Sequence, residues 1–275
     1  TLYREKIKMA ATVKARRFEG KVALVTAATA GLGLAIASRL GQEGASVVIC
    51  SRKEQNVRDA LDQLKREGCG RVEGIACHIA REEDRQKIVQ FTLDKFGRID
   101  VLVNNHGINP IFGDILDVED SMWDKLFETN VKAGWQMAKL VVPHMRKTGT
   151  GGSIIFNASY VGYRPPSAGL GAYAVTKTAM LGLVKALAGS LAKDNIRVNG
   201  IAPGIIKTKL SSALWDSGST TPESEAETAA AQEILLGRLG VPNDCAGLVA
   251  FLASEDAGYT TGEIVVVAGG LQCLL

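Results

Sequence analysis

Short β-branched, apolar runs alternate with helical stretches along nearly the whole chain. KVALVT (21–26), SVVIC (46–50), RVEGIAC (71–77), IDVLVNN (99–105), GSIIFNAS (152–159), NIRVNGIAP (195–203) and EIVVVAGG (263–270) read as strands. Between them, GLGLAIASRLGQEG (31–44), the amphipathic NVRDALDQLKREG (56–68) and EEDRQKIVQFTLDKFG (82–97) read as helices. So do a long stretch near 119–146, expected to be interrupted or bent near Gly134 and Pro143, the apolar run from GAYAVTK onward, and a last stretch near 243–253. Strands that are apolar throughout must be covered on both faces, which means a parallel sheet wound with helices on each side. The expected fold is α/β: one Rossmann-type, doubly wound, parallel seven-stranded sheet over 18–275. Ligands of such sheets lie beyond the carboxyl ends of the strands.

Two segments break the pattern. TKLSSALWDSGSTTPESEAETAAAQEILL (208–236) is long, rich in Ser, Thr and Glu, yet holds Leu210, Leu214 and Trp215; it reads as a substrate lid, against the alternative of an idle excursion. The first twenty residues carry six Lys/Arg against two Glu and no apolar core, so they are not a secretory signal. A leader remnant, a tag or upstream translation, a basic arm and a solvated flexible tail over 1–17 all stand as readings.

Composition narrows the classes. The 275 residues are 46% hydrophobic and 22% charged, enough for one large covered core. A net charge of +3 is too mild to imply nucleic acid. The five cysteines are scattered without a Cys-x-x-Cys pair, which suits reduced thiols inside a cell and offers no metal site. No apolar run is expected to reach the ~20 residues of a membrane span.

Candidate chemistry sits at the strand ends. TAATAGLG (26–33) opens a helix directly after the first strand; Gly31 and Gly33 lack Cβ atoms where a pyrophosphate would meet a helix N-terminus. A fold that binds NAD places an acid at the end of the second strand, to hold ribose hydroxyls. Here the chain has Ser51, Arg52 and Lys53, suited to a 2′-phosphate and hence to NADP(H), while Glu54 is the competing ribose partner. Tyr173 and Lys177 stand four apart on one helix face, where an ammonium would lower the phenol's pKa.

Together these residues resemble the short-chain dehydrogenase/reductase family over about residues 18–270. The family's Thr-Gly-x-x-x-Gly-x-Gly is similar to Thr26–Gly33 with Ala27 at the first glycine, and Asn-Asn-Ala-Gly to Asn104, Asn105, His106 and Gly107. Asn130, Ser159, Tyr173 and Lys177 resemble its active-site Asn, Ser and Tyr-x-x-x-Lys. The Pro-Gly turn after strand six is Pro203-Gly204, with Thr208 beyond it. Within the family, SRKEQNV, WDKLFETNVKA and KDNIRVNGIAPGIIKT look most like the NADPH-dependent carbonyl and retinal reductases.

The resemblance implies that Tyr173 donates a proton to a carbonyl oxygen while hydride arrives from NADPH. It gives Lys177 the tasks of lowering the Tyr173 pKa and bonding the ribose. Ser159 would orient the carbonyl, and Asn130 would hold a water leading from Lys177 to solvent. Cofactor contacts fall on Thr26, Gly31, Leu32, Gly33, Ser51, Arg52, Lys53, His78, Ile79, Asn104, Gly107, Pro203, Gly204, Ile206 and Thr208. His78 replaces the usual adenine-contacting Asp, and His106, where alanine is usual, packs by the adenine ribose. Phe112, Tyr160, Leu210, Leu214 and Trp215 are candidates for an apolar substrate wall; their alternative is ordinary packing. Ser159 and Tyr173 are fourteen positions apart, one more than is common, so the loop between them should bulge beside the substrate. The implied substrates are aromatic ketones, α-dicarbonyls and retinoids, and the implied assembly a homotetramer. The compartment stays open between mitochondrion, peroxisome and cytosol, because Cys273-Leu274-Leu275 lacks the basic middle residue of a Ser-Lys-Leu-type address. Two further readings compete: an NAD-dependent alcohol dehydrogenase using Glu54, and a non-catalytic NADPH-binding scaffold.

Overall fold

The computed structural model describes residues 16–166, 169–215 and 231–271. Seven strands form one sheet: β1 (Val22–Val25), β2 (Ser46–Ser51), β3 (Arg71–Ala76), β4 (Val101–Asn104), β5 (Gly152–Asn157), β6 (Ile196–Pro203) and β7 (Ile264–Val267). All pairings are parallel and the order is β3-β2-β1-β4-β5-β6-β7. The expected doubly wound seven-stranded sheet is present.

The period of two along each strand sorts side chains between two cores. Ala23, Val25, Val47, Ile49, Val101 and Val103 join the layer under α1 (Gly31–Gln42), α2 (Glu54–Arg66) and α7 (Pro242–Ala253). Leu24, Val48, Leu102, Ile154 and Phe156 point the other way, under α3 (Glu82–Phe96), α5 (Ala133–Thr148) and α6 (Gly171–Leu191). Each fully buried Leu, Ile or Phe contributes about 1.5–3 kcal/mol relative to exposure, so both faces are held independently of any ligand.

Two expectations need correction. The long helix over 119–146 is interrupted just before Gly134, near where expected, but not at Pro143. It divides into α4 (Asp120–Phe127) and α5 around a π turn at Glu128–Lys132, and α5 runs on through Pro143. Gly134 instead lets the helix approach the sheet, since a Cβ there would come within 2.9 Å of the Phe156 ring. A π turn carries no strong sequence mark, but such turns recur at functional sites, and this one carries Asn130.

Second, one stretch among the described residues, Gly171–Asp194, is long and apolar enough to cross a membrane by length and composition. It is a core helix: Met180, Val184, Ala188 and Leu191 pack in the layer beneath β5 and β6. Much of the expected lid (216–230), most of the basic tail (1–15) and Cys273-Leu274-Leu275 lie outside the described residues.

Candidate active site

At the carboxyl edge of the sheet opens a cleft of about 690 Å³. Its lining includes Gly31, Leu32, Gly33, Gly107, Phe112, Ser159, Tyr160, Tyr173, Pro203, Gly204, Ile206, Thr208, Leu210 and Leu214, as the sequence implied. It divides into a glycine-walled end, a catalytic floor and an apolar mouth.

The glycine end forms where β1 turns into α1. Gly31 has φ +54°, and a Cβ on Gly33 would lie 2.4 Å from Asn105 Nδ2 and 2.5 Å from the Ala27 carbonyl oxygen. Ala27, where the family has glycine, adopts the left-handed region at φ +50°. Ala30 at the N-cap offers no side-chain cap, and no acid sits in the first turn of α1. The free N–H groups and positive helix end therefore face the cleft, an arrangement that suits a pyrophosphate. The cradle thus fits a dinucleotide: glycines where the backbone is closest, and no competing carboxylate.

The floor assembles the four residues expected to act. Ser159 follows β5 directly and takes the Val161 N–H at 3.4 Å. Tyr173 and Lys177 lie in the first turns of α6, and the Ser159 and Tyr173 hydroxyls both face the cleft, near enough for Ser159 to act on the phenol. Behind them the buried Lys177 donates from Nζ to the Asn157 carbonyl oxygen at 2.7 Å. Asn130 Oδ1 accepts from Ile108 N–H at 2.8 Å, while its Nδ2 donates to the Ile108 carbonyl at 3.0 Å and to Thr176 Oγ1 at 3.1 Å. Both amide protons and one lone pair are thereby used. The Asn130 side chain thus clamps the chain after β4, with one Oδ1 lone pair left over.

The electrostatics also depart from expectation. Burial pushes the Tyr173 phenol above its ordinary value, with the nearby Ser159 hydroxyl pulling it partly back. Lys177 Nζ lies over the Tyr173 ring, 5.4 Å from its centroid, and its hydrogen bond goes to Asn157. Burial pulls Lys177 down to about 7. The pair is thus poised with a protonated phenol and an ammonium that titrates near neutrality, because desolvation acts on both and opposes the charged form of each.

Other predicted residues are placed differently. Asn104 is buried beside Gly134, both amide atoms lack partners among the described residues, and it does not line the cleft. Its neighbour Asn105 does, donating to the carbonyls of Thr26 and Ala27 at 3.2 and 3.0 Å and accepting from Asn157 Nδ2 at 3.1 Å. The last residue of a strand and the first of the following loop face opposite sides, so the two asparagines cannot share one task. Trp215 is turned to Ser211, its Nε1 donating at 3.1 Å, and lies off the cleft lining.

Thr26 is buried and holds the turn from beneath. His106 is buried against Thr26 rather than facing the cleft. Ser51, Arg52 and Lys53 stand at the end of β2, and His78 and Ile79 beyond β3, on the same sheet edge but outside the cleft. The backbone N–H of His78 donates to Asp84 Oδ2 at 2.7 Å, so a carboxylate from α3 reaches this corner although position 78 itself is not acidic. Phe112, Leu210 and Leu214 form the mouth; Leu214, Tyr160 and Tyr173 pack against the buried cluster Val161, Leu170 and Ala174, while Phe112 covers Gly169. Asn105, Asn157 and Thr176 carry no distinguishing mark in the sequence: asparagines and threonines are common at strand ends, and only the fold reveals their roles.

Comparison with known proteins agrees with this geometry. Residues 26–272 match the family model described as enoyl-(acyl carrier protein) reductase. Dehydrogenase/reductase SDR family member 4 of Caenorhabditis elegans is 64% identical over 94% of this chain and 98% of its own. The human protein of that name is 49% identical over 96% of this chain and 92% of its own. A short-chain dehydrogenase/reductase from Mycobacterium marinum superposes with a TM-score of 0.86 at 30% identity, covering 95% of this chain and 99% of that one. The chain belongs to the short-chain dehydrogenase/reductase family, oxidoreductases that work with a nicotinamide cofactor.

Proposed function

We propose that the protein is an NADP(H)-dependent carbonyl reductase that converts hydrophobic ketones and aldehydes, including aromatic ketones, α-dicarbonyls and retinal-like aldehydes, to alcohols. The observation that carries this reading is the Ser159–Tyr173 hydroxyl pair on the floor of a cleft whose mouth is apolar. A carbonyl oxygen placed between two hydroxyls receives two hydrogen bonds, and Tyr173, kept protonated by burial, supplies the proton as charge develops on that oxygen. Ser159 orients the oxygen, and Lys177 carries the positive charge that favours proton loss from Tyr173. Gly31, Leu32 and Gly33 would hold the pyrophosphate, with Gly107, Pro203, Gly204, Ile206 and Thr208 along the rest of the cofactor. When bound, the nicotinamide supplies the hydride.

The choice of NADP over NAD rests on the end of β2. The Arg52 and Lys53 side chains are exposed and make no hydrogen bond or ion pair among the described residues, so both are free for a 2′-phosphate. Glu54, the competing ribose partner, is instead paired with Arg58 one turn along α2, which disfavours the NAD-dependent alcohol dehydrogenase reading. An intact Ser159–Tyr173–Lys177 set argues against a non-catalytic scaffold. A homotetramer is our reading of the assembly; the fully exposed Tyr259 and the half-exposed Trp135 offer apolar surface for contact with other copies.

The test is oxidation of NADPH and of NADH by the purified protein with an aromatic α-dicarbonyl, alongside Tyr173→Phe and Arg52→Ala. NADPH should be preferred, Tyr173→Phe should lower turnover by ~10²–10⁴ with NADPH still bound, and Arg52→Ala should erode the preference by about tenfold. Turnover that survives Tyr173→Phe defeats the catalytic assignment; preference for NADH defeats the cofactor assignment.

A further inference from the structure

His106 occupies a position where family members commonly carry alanine, and its surroundings assign it a task. Thr26 Oγ1, at the end of β1, receives the N–H of Asn105 at 3.0 Å and the N–H of His106 at 3.3 Å. Both of its lone pairs are thereby taken. Its one proton has two acceptors in reach, the Val103 carbonyl at 3.2 Å and His106 Nδ1 at 2.8 Å. A proton on Nδ1 would press a third donor onto an oxygen with no lone pair left. Nδ1 must accept, and the ring proton belongs on Nε2.

We propose that His106 is a positioning residue, its imidazole held in the Nε2-protonated form by Thr26, which ties the cofactor turn after β1 to the loop after β4. The consequence lies one residue further on. Gly107 lies between two anchors, His106 on Thr26 and Ile108 on Asn130. A Cβ on Gly107 would come within 3.6 Å of both Lys177 Nζ and Asn130 Oδ1. One side chain thus sets the register between the dinucleotide cradle and the proton-donating pair. Alanine at position 106 leaves Thr26 only the longer bond to Val103.

His106 also works without titrating. Thr26 on β1 is uncharged, and the charged groups acting on the ring are Lys177 of α6 and Arg85 of α3, both cations. They add to burial and hold the imidazole down to about 3. It is a fixed acceptor across the neutral range rather than a pH switch.

This inference rests on the nicotinamide cofactor site but not on the choice of NADP or of substrate. Nitrogen-15 NMR of the free protein, with the ring of His106 assigned by its absence in His106→Ala, should show Nε2 protonated and Nδ1 bare from pH 5.5 to 8. NADPH affinity, followed by fluorescence, should weaken by about fivefold in His106→Ala. His106→Asn, whose Oδ1 can take the Thr26 proton, should recover most of that loss. The ratio of wild-type to His106→Ala affinity should stay flat with pH. A protonated Nδ1, an unchanged affinity in His106→Ala, no rescue by asparagine, or a ratio that titrates near an ordinary histidine value would each overturn the proposal. Should His106→Ala fail to fold, the tautomer is assigned with His106→Asn and decides alone. Should the wild type prefer NADH, the same affinity ratios are measured with NADH, which separates the cofactor assignment from this one.

Discussion

The floor of the cleft and its mouth are built by opposite rules. On the floor, Asn130, Lys177 and Thr176 are almost wholly buried, and their polar groups are spoken for by Ile108, Asn157 and Tyr173. At the mouth, Phe112 is 66% exposed and Leu210 52%, with few fixed contacts. A buried polar group without its partner costs ~1–3 kcal/mol, so the floor tolerates one arrangement only. An apolar side chain at a rim loses little by moving. The difference separates chemistry, which needs atoms held to a fraction of an ångström, from substrate choice, which needs only complementary surface.

The largest expected break of that contrast is Asn130→Ala. It leaves the Ile108 N–H and carbonyl without their partners and frees the loop that carries Gly107. Stability should fall by about 2–4 kcal/mol, as two polar groups lose their bonds, and kcat by ~10²-fold through misplacement of the floor. Thermal unfolding together with steady-state kinetics checks this. A variant with native stability and full turnover would mean that the clamp is not what holds the floor in place.

Next in size is the pH dependence of the same floor. Lys177 is charged below about 7 and neutral above it, whereas the Tyr173 phenol, raised by burial, stays protonated throughout the neutral range. In the reductive direction kcat/KM should therefore fall as pH rises through about 7, following loss of the Lys177 charge, and not follow ionisation of the tyrosine. Stability should move the other way. Between about 7 and the ordinary lysine value of 10.5, the unfolded chain binds a proton that the folded chain does not, so unfolding free energy rises with pH. A Lys177→Met variant should lose both effects; if its rate and stability profiles keep the wild-type shape, Lys177 is not the titrating group.

At the mouth the expected changes are smaller and of another kind. Leu214→Ala removes a cleft-lining side chain that packs against the cluster Val161, Leu170 and Ala174, and Phe112→Ala removes an exposed ring. With a hydrophobic carbonyl, KM should rise by about 5–30-fold, the worth of one to two kcal/mol of apolar contact, while kcat changes by less than twofold. Kinetics with one aromatic and one small aliphatic ketone would sharpen the point, since only the aromatic should discriminate. Equal losses in kcat for both substrates would show that the mouth also shapes the floor.

The same contrast governs how much of the molecule is legible in its amino acids. Fold, sheet and catalytic set are legible because they are written in period: buried strands, a glycine turn after the first of them, and Tyr173 and Lys177 one helical turn apart. The break between α4 and α5 is legible only in its rough place: Gly134 marks the region, Pro143 marks a break that does not occur, and the π turn that carries Asn130 arises from packing. Asn104 and Asn105 stand together in one motif, and only the pleat of β4 decides that the second faces the cleft. The electrostatics are hidden for a related reason. Spacing puts an ammonium near a phenol, but whether it meets the hydroxyl or the ring, and how dry the site is, depends on residues more than ten positions away.

The smallest expected effect concerns Ala27, where this chain departs from the family's glycine. Its φ of +50° places an L-residue in the left-handed region, at a cost of about 1–2 kcal/mol. The turn does not relax, because Ala28 N–H bonds the Cys50 carbonyl at 3.0 Å and Gly33 leaves no room beside the Ala27 oxygen. Ala27→Gly removes that strain but gives the unfolded chain more freedom, which costs about 0.4–1 kcal/mol in return. The two terms nearly cancel, with strain the larger, so the variant should gain up to about 1 kcal/mol. For a chain of this size that is roughly 2–4 °C in Tm at most. A clear loss of stability would show that the alanine fits its turn without strain. Ala27 also lines the cleft, so removing its methyl group should leave the reaction rate unchanged while bringing the cradle's backbone fractionally nearer the pyrophosphate, a change to be read as equal or tighter NADPH binding.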